Sequence, residues 1–407
     1  MKNAPSIIKI IYFLLFPILL AYPNKLFEGL YINYIYIFFC LGLLFLNTNN
    51  KIIKKNKIVT FLGVLFLIVL FGNIFSSFFR YDIDLSDYIA STLRYFSYFT
   101  LSFILFQTTN NKDDLYFWIK SFLVGFTLSL VIILLDSYRF GFVESIFKTV
   151  TFESKQTLDI YFRAYGAYLS PISAGIFLMN TFIIISVTLQ YVNLKKPAML
   201  SLYFIIVLII VCLIMTASRT ALIGLLVYLF FVILKSKHRF KFLFFVLIGG
   251  LFIYYSGIID TYLENILVRN EREAQRGSNV LEGSGRIDTF FNSIRLYFDW
   301  RTFFFGVGPS EYSKGDGTFS LAHNGFMSLI LCYGLMGSLL FYKMLAFIYK
   351  RIKRNIFLGN LFFYYVLVNL VTFISSDGPV THFWLLNFIC FMYFIYFGNM
   401  FIIKKES

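Results

Sequence analysis

Three arginines and one histidine in this chain have the chemistry to handle a lipid phosphate and a sugar hydroxyl. Arg219 lies in Thr216-Ala217-Ser218-Arg219-Thr220-Ala221, wedged between two strongly apolar segments. Arg94 lies inside another apolar segment, and Arg286 directly follows Gly283-Ser284-Gly285. His323 comes after Gly306-Val307-Gly308-Pro309 and immediately precedes Asn324. A guanidinium is a planar five-donor fork that stays protonated, so it fits phosphate or pyrophosphate. A neutral imidazole accepts a proton near neutral pH, for example from a sugar hydroxyl. An ionisable side chain beside hydrocarbon is costly, which makes it a functional-site hypothesis.

Each of these residues also has a plainer reading. Arg219 could snorkel to lipid headgroups, although the amino end of the helix after it adds free N–H groups and partial positive charge suited to an anion. Arg94 is about two turns inside its segment, where burial with an anionic partner competes with snorkelling. Arg286 could simply open a surface helix, although the glycines before it let backbone approach a ligand closely. Arg163, in Tyr161-Phe162-Arg163-Ala164-Tyr165-Gly166, is a weak signal alone. Asn324 could orient the His323 ring or a sugar. Gly306, Gly308 and Pro309 punctuate a tight, irregular approach. His382 near Asp377 is a rival pair, and His238 sits in a basic loop.

The elements that must hold these residues are membrane helices. The chain of 407 residues is 59% hydrophobic and 14% charged, with a mean hydropathy of +0.75. Apolar runs of bilayer length recur throughout, and lipid leaves no choice but helix for them. The expected fold is all-α: a polytopic membrane protein of about twelve spans. Their limits are 7–23, 30–46, 58–79, 88–106, 115–135, 168–191, 198–215, 220–235, 241–259, 323–348, 356–375 and 381–402. Residues 1–407 read as a single membrane domain, with a large loop at 260–322 within it. The first span does not read as a cleaved leader, because it lacks a small-residue cleavage site and eleven spans follow.

Simple alternation of the spans puts 21 Lys/Arg and three acids on one side, against 15 and 18 on the other. The positive-inside rule makes the basic side cytoplasmic, with both termini inside. The net charge of +15 is thus a topology signal, and no basic module with interleaved aromatics points to nucleic acid. Two long loops, about 136–167 and 260–322, face outward. In the second, Ile287, Phe290, Phe291, Ile294, Tyr297 and Phe298 recur at helical spacing, which predicts an amphipathic helix between Gly285 and Trp300. Glu264 to Arg276 reads as a charged extension beyond span nine. The four cysteines fall within spans and make no CxxC pair, so they read as small apolar side chains. No HExxH, DxD, Walker A or G-x-S-x-G pattern stands out.

Together these residues resemble the O-antigen ligase and O-antigen polymerase superfamily of bacterial membrane glycosyltransferases. The resemblance runs from Arg163 to about Gly378. It is carried by Ser218-Arg219-Thr220-Ala221 at a span boundary, Gly285-Arg286 in the large loop, Gly306-x-Gly308, His323-Asn324, Gly334-x-x-Gly337 and Ser376-Asp377. It implies a GT-C-like, metal-independent, cofactor-free transferase in the inner membrane, acting on the periplasmic face. The implied donor is a glycan on undecaprenyl pyrophosphate. The implied acceptor is a lipid-linked repeat unit for a polymerase, or lipid A-core for a ligase. Arg219 and Arg286 would hold the pyrophosphate and His323 would activate the acceptor hydroxyl, with Arg94, Arg163, Asn324, Gly306 and Gly308 on the substrate side. A chain-length regulator or a flippase would be its protein partner. Ligases often carry a second histidine two residues before the loop histidine. That position is Leu321 here, which tilts the expectation toward a polymerase. A flippase of the same lipid-linked glycan is the competing class, and it should show several charges at mid-membrane depth and two similar halves.

Overall fold

A computed structural model of the chain describes residues 7–21, 25–27, 30–47, 56–79, 85–140, 143, 164–168, 170–192, 194–235, 303–308, 324–374 and 382–401. The expected ninth span, the charged extension after it and the amphipathic loop helix lie outside the described residues.

The described part is helical apart from one short antiparallel pair. The helices are α1 (Ile7–Phe13), α2 (Leu15–Ala21), α3 (Ile32–Asn47), α4 (Lys57–Phe79), α5 (Leu85–Thr108), α6 (Lys112–Ser137), α7 (Pro171–Tyr191), α8 (Lys196–Thr216), α9 (Arg219–Lys235), α10 (Gly325–Ile352), α11 (Ile356–Thr372) and α12 (His382–Phe401). The pair joins β1 (Lys25–Phe27) to β2 (Leu30–Tyr31). By length and composition α4, α5, α6, α7, α8, α10 and α12 are long and apolar enough to cross a membrane, and Ile7–Ala21, α3 and α11 are shorter apolar helices. With α9 they fall on expected spans one to eight and ten to twelve. Among the described residues the chain is a polytopic membrane protein that is helical apart from this one strand pair.

Local sequence explains where these helices start. Asn111, Ser170, Asn324 and Asn355 each cap a helix by accepting a backbone N–H, and Pro171 occupies the first turn of α7, where its missing N–H costs nothing. Pro17 interrupts the ladder of α2 and cannot donate to the Phe13 carbonyl. The Ser121 hydroxyl on α6 donates to that carbonyl instead. Gly125, one turn further along, lets α6 approach this backbone: a Cβ there would lie 2.6 Å from the Phe16 carbonyl. In lipid a backbone group lost to proline must find such a replacement.

The helix ends sort into two faces. One carries Lys57, Lys112, Lys195, Lys196, Lys235, Lys350 and Arg351. The other holds the amino ends of α5, α7, α9 and α10 and the carboxyl ends of α6, α8 and α11. Two backbone bonds tie elements together at this face: Ala164 N–H, in the approach to α7, to Met215 O of α8 at 3.1 Å, and Gly325 N–H of α10 to Phe373 O at the end of α11 at 2.6 Å. This second face is called the site face below.

Helix α7 is central, with 72% of its span buried, whereas α8 is peripheral at 22%. Around α7 lie α8, α9, α11 and α12, while α4 packs on α5 and α10, and α3 on α5. Three buried asparagines tie the central helices together. Asn180 and Asn369 exchange amide bonds of 3.2 and 2.8 Å, and Trp384 donates to Asn369 at 2.6 Å. Tyr365 donates to Asn387 at 3.0 Å, and Asn387 to Thr181 at 3.2 Å. Inside a bilayer, such polar side chains join helices because hydrocarbon offers them no other partner.

Candidate functional site

Arg219 is the first residue of α9, one position earlier than the expected span limit. The turn before it is unusual. Ala217 ends α8 in the left-handed conformation, φ 46° and ψ 37°, a state that costs a side-chain-bearing residue about 1 kcal/mol or more. Backbone strain of this kind clusters at ligand clamps and active sites. Ser218 follows, fully buried, its hydroxyl without a hydrogen-bond partner. It packs against Gly175 of α7, where an added Cβ would come within 2.5 Å of the Ser218 Cβ and 2.9 Å of the Ala221 Cβ. One turn further, Gly224 of α9 meets Met179, Thr372 and Val368. These glycines seat α9 against α7 and α11, so the amino end that carries Arg219 is held by close backbone packing.

The segment after Arg163 docks at the same place. Arg163 itself lies outside the described residues, but Ala164 bonds to Met215 in the last turn of α8. Asp136, buried at the end of α6, accepts the N–H groups of Tyr165 and Gly166, both at 2.9 Å. Gly166 has φ +56° and fits against Ile133, so the turn requires glycine. The tail of the first long loop is thus fixed beside the α8–α9 turn.

His323 and Arg286 lie outside the described residues. Asn324, next to the histidine, is the cap of α10: its side-chain oxygen accepts from Phe326 N–H at 3.1 Å and Met327 N–H at 3.2 Å. The amide expected to orient a ring or a sugar spends its oxygen on the helix. Gly325 packs on Phe373, a Cβ there meeting the ring at 2.8 Å. Phe373 adjoins Thr372, which touches Gly224 of α9. The end of α11 therefore links the start of α10, beside the candidate histidine, to the helix opened by Arg219.

The described piece of the large loop, 303–308, inserts between α4 and α10. Helix α10 breaks at Gly334, φ 61° and ψ −167°. Its interrupted ladder is completed by the loop: Val307 N–H donates to Leu331 O at 2.7 Å, and Met336 N–H to Phe304 O at 3.1 Å. Gly306, φ 73°, lies against Leu331 and Cys332; Gly308, φ 80°, lies against Asn73. Asn73 in turn donates to Ser91 at 2.7 Å and Thr92 at 3.1 Å. The pattern Gly306-x-Gly308 with Gly334 is one packing unit, in which all three glycines take conformations that side chains rarely adopt. Non-helical backbone at membrane depth is tolerated only when buried in protein in this way.

Arg94 is partly buried and donates through Nε to the Tyr34 hydroxyl at 3.2 Å. Tyr98 and Tyr31 are its other electrostatic neighbours among the described residues. Tyr95, next to Arg94, pairs its hydroxyl with that of Tyr333, the residue before the Gly334 break. The structure therefore shows two groupings: Arg219, the Ala164 docking point and Asn324 around α9 and α11, and Arg94, Gly306 and Gly308 around α4, α5 and α10. Sequence reading passed over the asparagines of α7, α11 and α12 and the tyrosines around Arg94. Asn180, Asn369 and Asn387 in spans six, eleven and twelve were the available signal, since amides in hydrocarbon need partners.

No curated protein matches the chain. Residues 204–342, from the middle of α8 to the middle of α10, match the family model described as O-antigen ligase, which supports the O-antigen ligase/polymerase family and, with it, a glycosyltransferase-type enzyme acting on lipid-linked sugars in a membrane.

Proposed function

We propose that the chain is a periplasmic-face polymerase of surface-polysaccharide repeat units, using a glycan on undecaprenyl pyrophosphate as donor. The observation that carries this reading is the extent of the family match: residues 204–342 enclose Arg219, Arg286 and His323. The first of these opens a helix on the site face. The basic opposite face supports a cytoplasmic assignment for that side, with both termini there, and twelve spans in all.

In the proposed reaction an acceptor sugar hydroxyl attacks the anomeric carbon of the donor. The new glycosidic C–O bond forms as the bond from that carbon to the pyrophosphate oxygen breaks. The hydroxyl proton passes to His323, and polyprenyl pyrophosphate leaves with the bonding pair. Charge grows on phosphate oxygens in a poorly hydrated site, where Arg219 and Arg286 offset it without a metal. Ala164, the residue after Arg163, docks beside the α8–α9 turn, which supports a substrate-side role for Arg163. Gly306 and Gly308 serve the substrate by shaping the loop between α4 and α10, and Asn324 by fixing the helix start beside the base.

The test uses purified protein with a lipid-linked repeat unit, with and without lipid A-core. Lengthened lipid-linked product supports a polymerase. Transfer only to lipid A-core makes the chain a ligase, the alternative that the family description itself raises. Movement of the glycan across a bilayer without a new bond makes it a flippase.

A further inference from the structure

We infer that Lys57 and Arg351, with the aromatic rings beneath them, form a headgroup site for an anionic phospholipid at the basic face of the bundle.

Three helices build the site. Helix α10 packs on both α4 and α12. Lys57 is the first residue of α4, and Arg351 lies in the last turn of α10. Both are exposed, and both stand over one ring, that of Phe347. The Lys57 ammonium is 5.5 Å from its centre and the Arg351 guanidinium 5.6 Å. The guanidinium also lies 4.6 Å from the centre of the Tyr396 ring of α12. Phe61, one turn along α4 from Lys57, meets Phe347 edge-on at 5.9 Å. A cation within about 6 Å of a ring centre is attracted by the negative face of the ring. The rings thus hold an ammonium and a guanidinium from two helices close together, at the ends of those helices.

A ring positions a cation without cancelling its charge, and the acids of the surrounding chain are too few to do so. The stretches 51–57, 350–354 and 402–407 adjoin this end of α4, α10 and α12. They hold ten Lys or Arg against one acid, Glu406, a balance that does not depend on where their undescribed residues lie. The other acids expected on this face, Asp113 and Asp114, open α6 beside Lys112, and Asp114 accepts the Asn110 N–H at 3.0 Å. The patch therefore carries surplus positive charge. Two like charges on one ring repel each other, and an anion between them turns that repulsion into attraction.

Position and shape select a lipid as the anion. Aromatic rings gather at the level of lipid headgroups, and basic pockets between membrane helices bind anionic headgroups. The guanidinium is a planar fork that fits a phosphodiester, and the flexible lysine stem lets its ammonium turn to the same group. Residues three or four apart share a helix face, so Lys57, Phe61, Val64 and Leu67 make one row on α4. Val64 and Leu67 are 39% and 46% exposed, an apolar strip below the cation for acyl chains. Phosphatidylcholine brings its own cation and gains less from the patch than phosphatidylglycerol does.

The experiment titrates the full chain in detergent micelles with phosphatidylglycerol, or with phosphatidylcholine of the same acyl chains, and reads binding by native mass spectrometry. The wild type is expected to hold its first phosphatidylglycerol at least about 10-fold more tightly than phosphatidylcholine. Lys57→Gln combined with Arg351→Gln should weaken phosphatidylglycerol binding about 10-fold or more, at about 5-fold per basic residue near a headgroup, and leave phosphatidylcholine binding unchanged. Lys195→Gln combined with Lys196→Gln removes the same charge from the same face at the start of α8. Neither lysine has a ring beneath it among the described residues, and this pair should change the affinity less than about 2-fold. Arg351→Gln alone, with an expected loss of about 5-fold, carries the test if the double variant does not fold. Equal affinity of the wild type for the two lipids, or unchanged phosphatidylglycerol affinity after loss of Lys57 and Arg351, overturns the inference. An equal fall in the Lys195 and Lys196 variant also overturns it, by reducing the attraction to the overall charge of the face.

Discussion

A guanidinium and an ammonium carry the same charge but differ in the shape of what they donate. Arg219, held at the start of α9 by the Ser218–Gly175 contact, presents its donors from a fixed base. Arg219→Lys is expected to lower glycan transfer at least about 10-fold, because one ammonium cannot replace a bidentate fork on phosphate. Its thermal midpoint in detergent should match the wild type. Full activity in that assay would reduce Arg219 to a generic anchor. His323→Ala is expected to lower turnover by roughly 10²-fold or more, the contribution of a placed base, while equilibrium binding of the donor through the arginines persists. Normal transfer by this variant would make His323 structural and turn attention to His382.

At the scale of elements, the break in α10 and the loop segment 303–308 stabilise each other. The helix has 28 residues, about 42 Å if straight, against a hydrocarbon core of about 30 Å. Breaking at Gly334 exposes backbone groups, and the loop accepts and donates in their place through Val307 and Phe304. Gly306, Gly308 and Gly334 each pair a positive φ with a close neighbour. Alanine at any one of them should cost more than about 1 kcal/mol, since the native conformation is wrong for a side chain. Thermal unfolding in detergent should show the loss. Transfer activity should fall with it, because the same unit docks the loop that leads to His323. An unchanged midpoint for both Gly308→Ala and Gly334→Ala would mean that the unit is looser than its hydrogen bonds imply.

At the scale of the molecule, the sorting of basic helix ends to one face sets how the chain sits in the bilayer. Reporter fusions at Asn279 and Lys353 should report opposite compartments, with Lys353 cytoplasmic. Finding both in the same compartment would remove the twelve-span arrangement and the periplasmic site together. The asparagine network is the other whole-molecule feature, since it joins α7, α11 and α12. Hydrogen bonds between membrane helices contribute about 0.6 kcal/mol on average and at most about 1.7. Asn369→Ala removes partners of Asn180 and Trp384 together, so it should lower the unfolding midpoint more than Asn360→Ala, which loses one exposed bond to Tyr191. Equal midpoints would show that the network adds no stability.

Residue types alone determined that this chain crosses a membrane many times. Hydropathy is a local quantity, and lipid enforces helix wherever it is high enough for long enough. The order Arg219, Gly306-x-Gly308, His323-Asn324 and Gly334-x-x-Gly337 was legible too, and it carried the family resemblance that the match over 204–342 supports. Helix starts were read to within a few residues, because caps such as Asn324 are local chemistry. What those residues do to one another was settled only by packing. Nothing local to Asn324 says that its oxygen is taken by α10, and Gly306 gains its meaning from Leu331 and Cys332, far along the chain. The tyrosines next to Arg94 come from β2, α3 and α5 itself, and Tyr333 of α10 pairs with the neighbouring Tyr95. Apolar spans look alike in sequence, since lipid-facing and core-facing positions are both hydrophobic. Which faces meet, and so which polar side chains share a site, is therefore decided by tertiary structure.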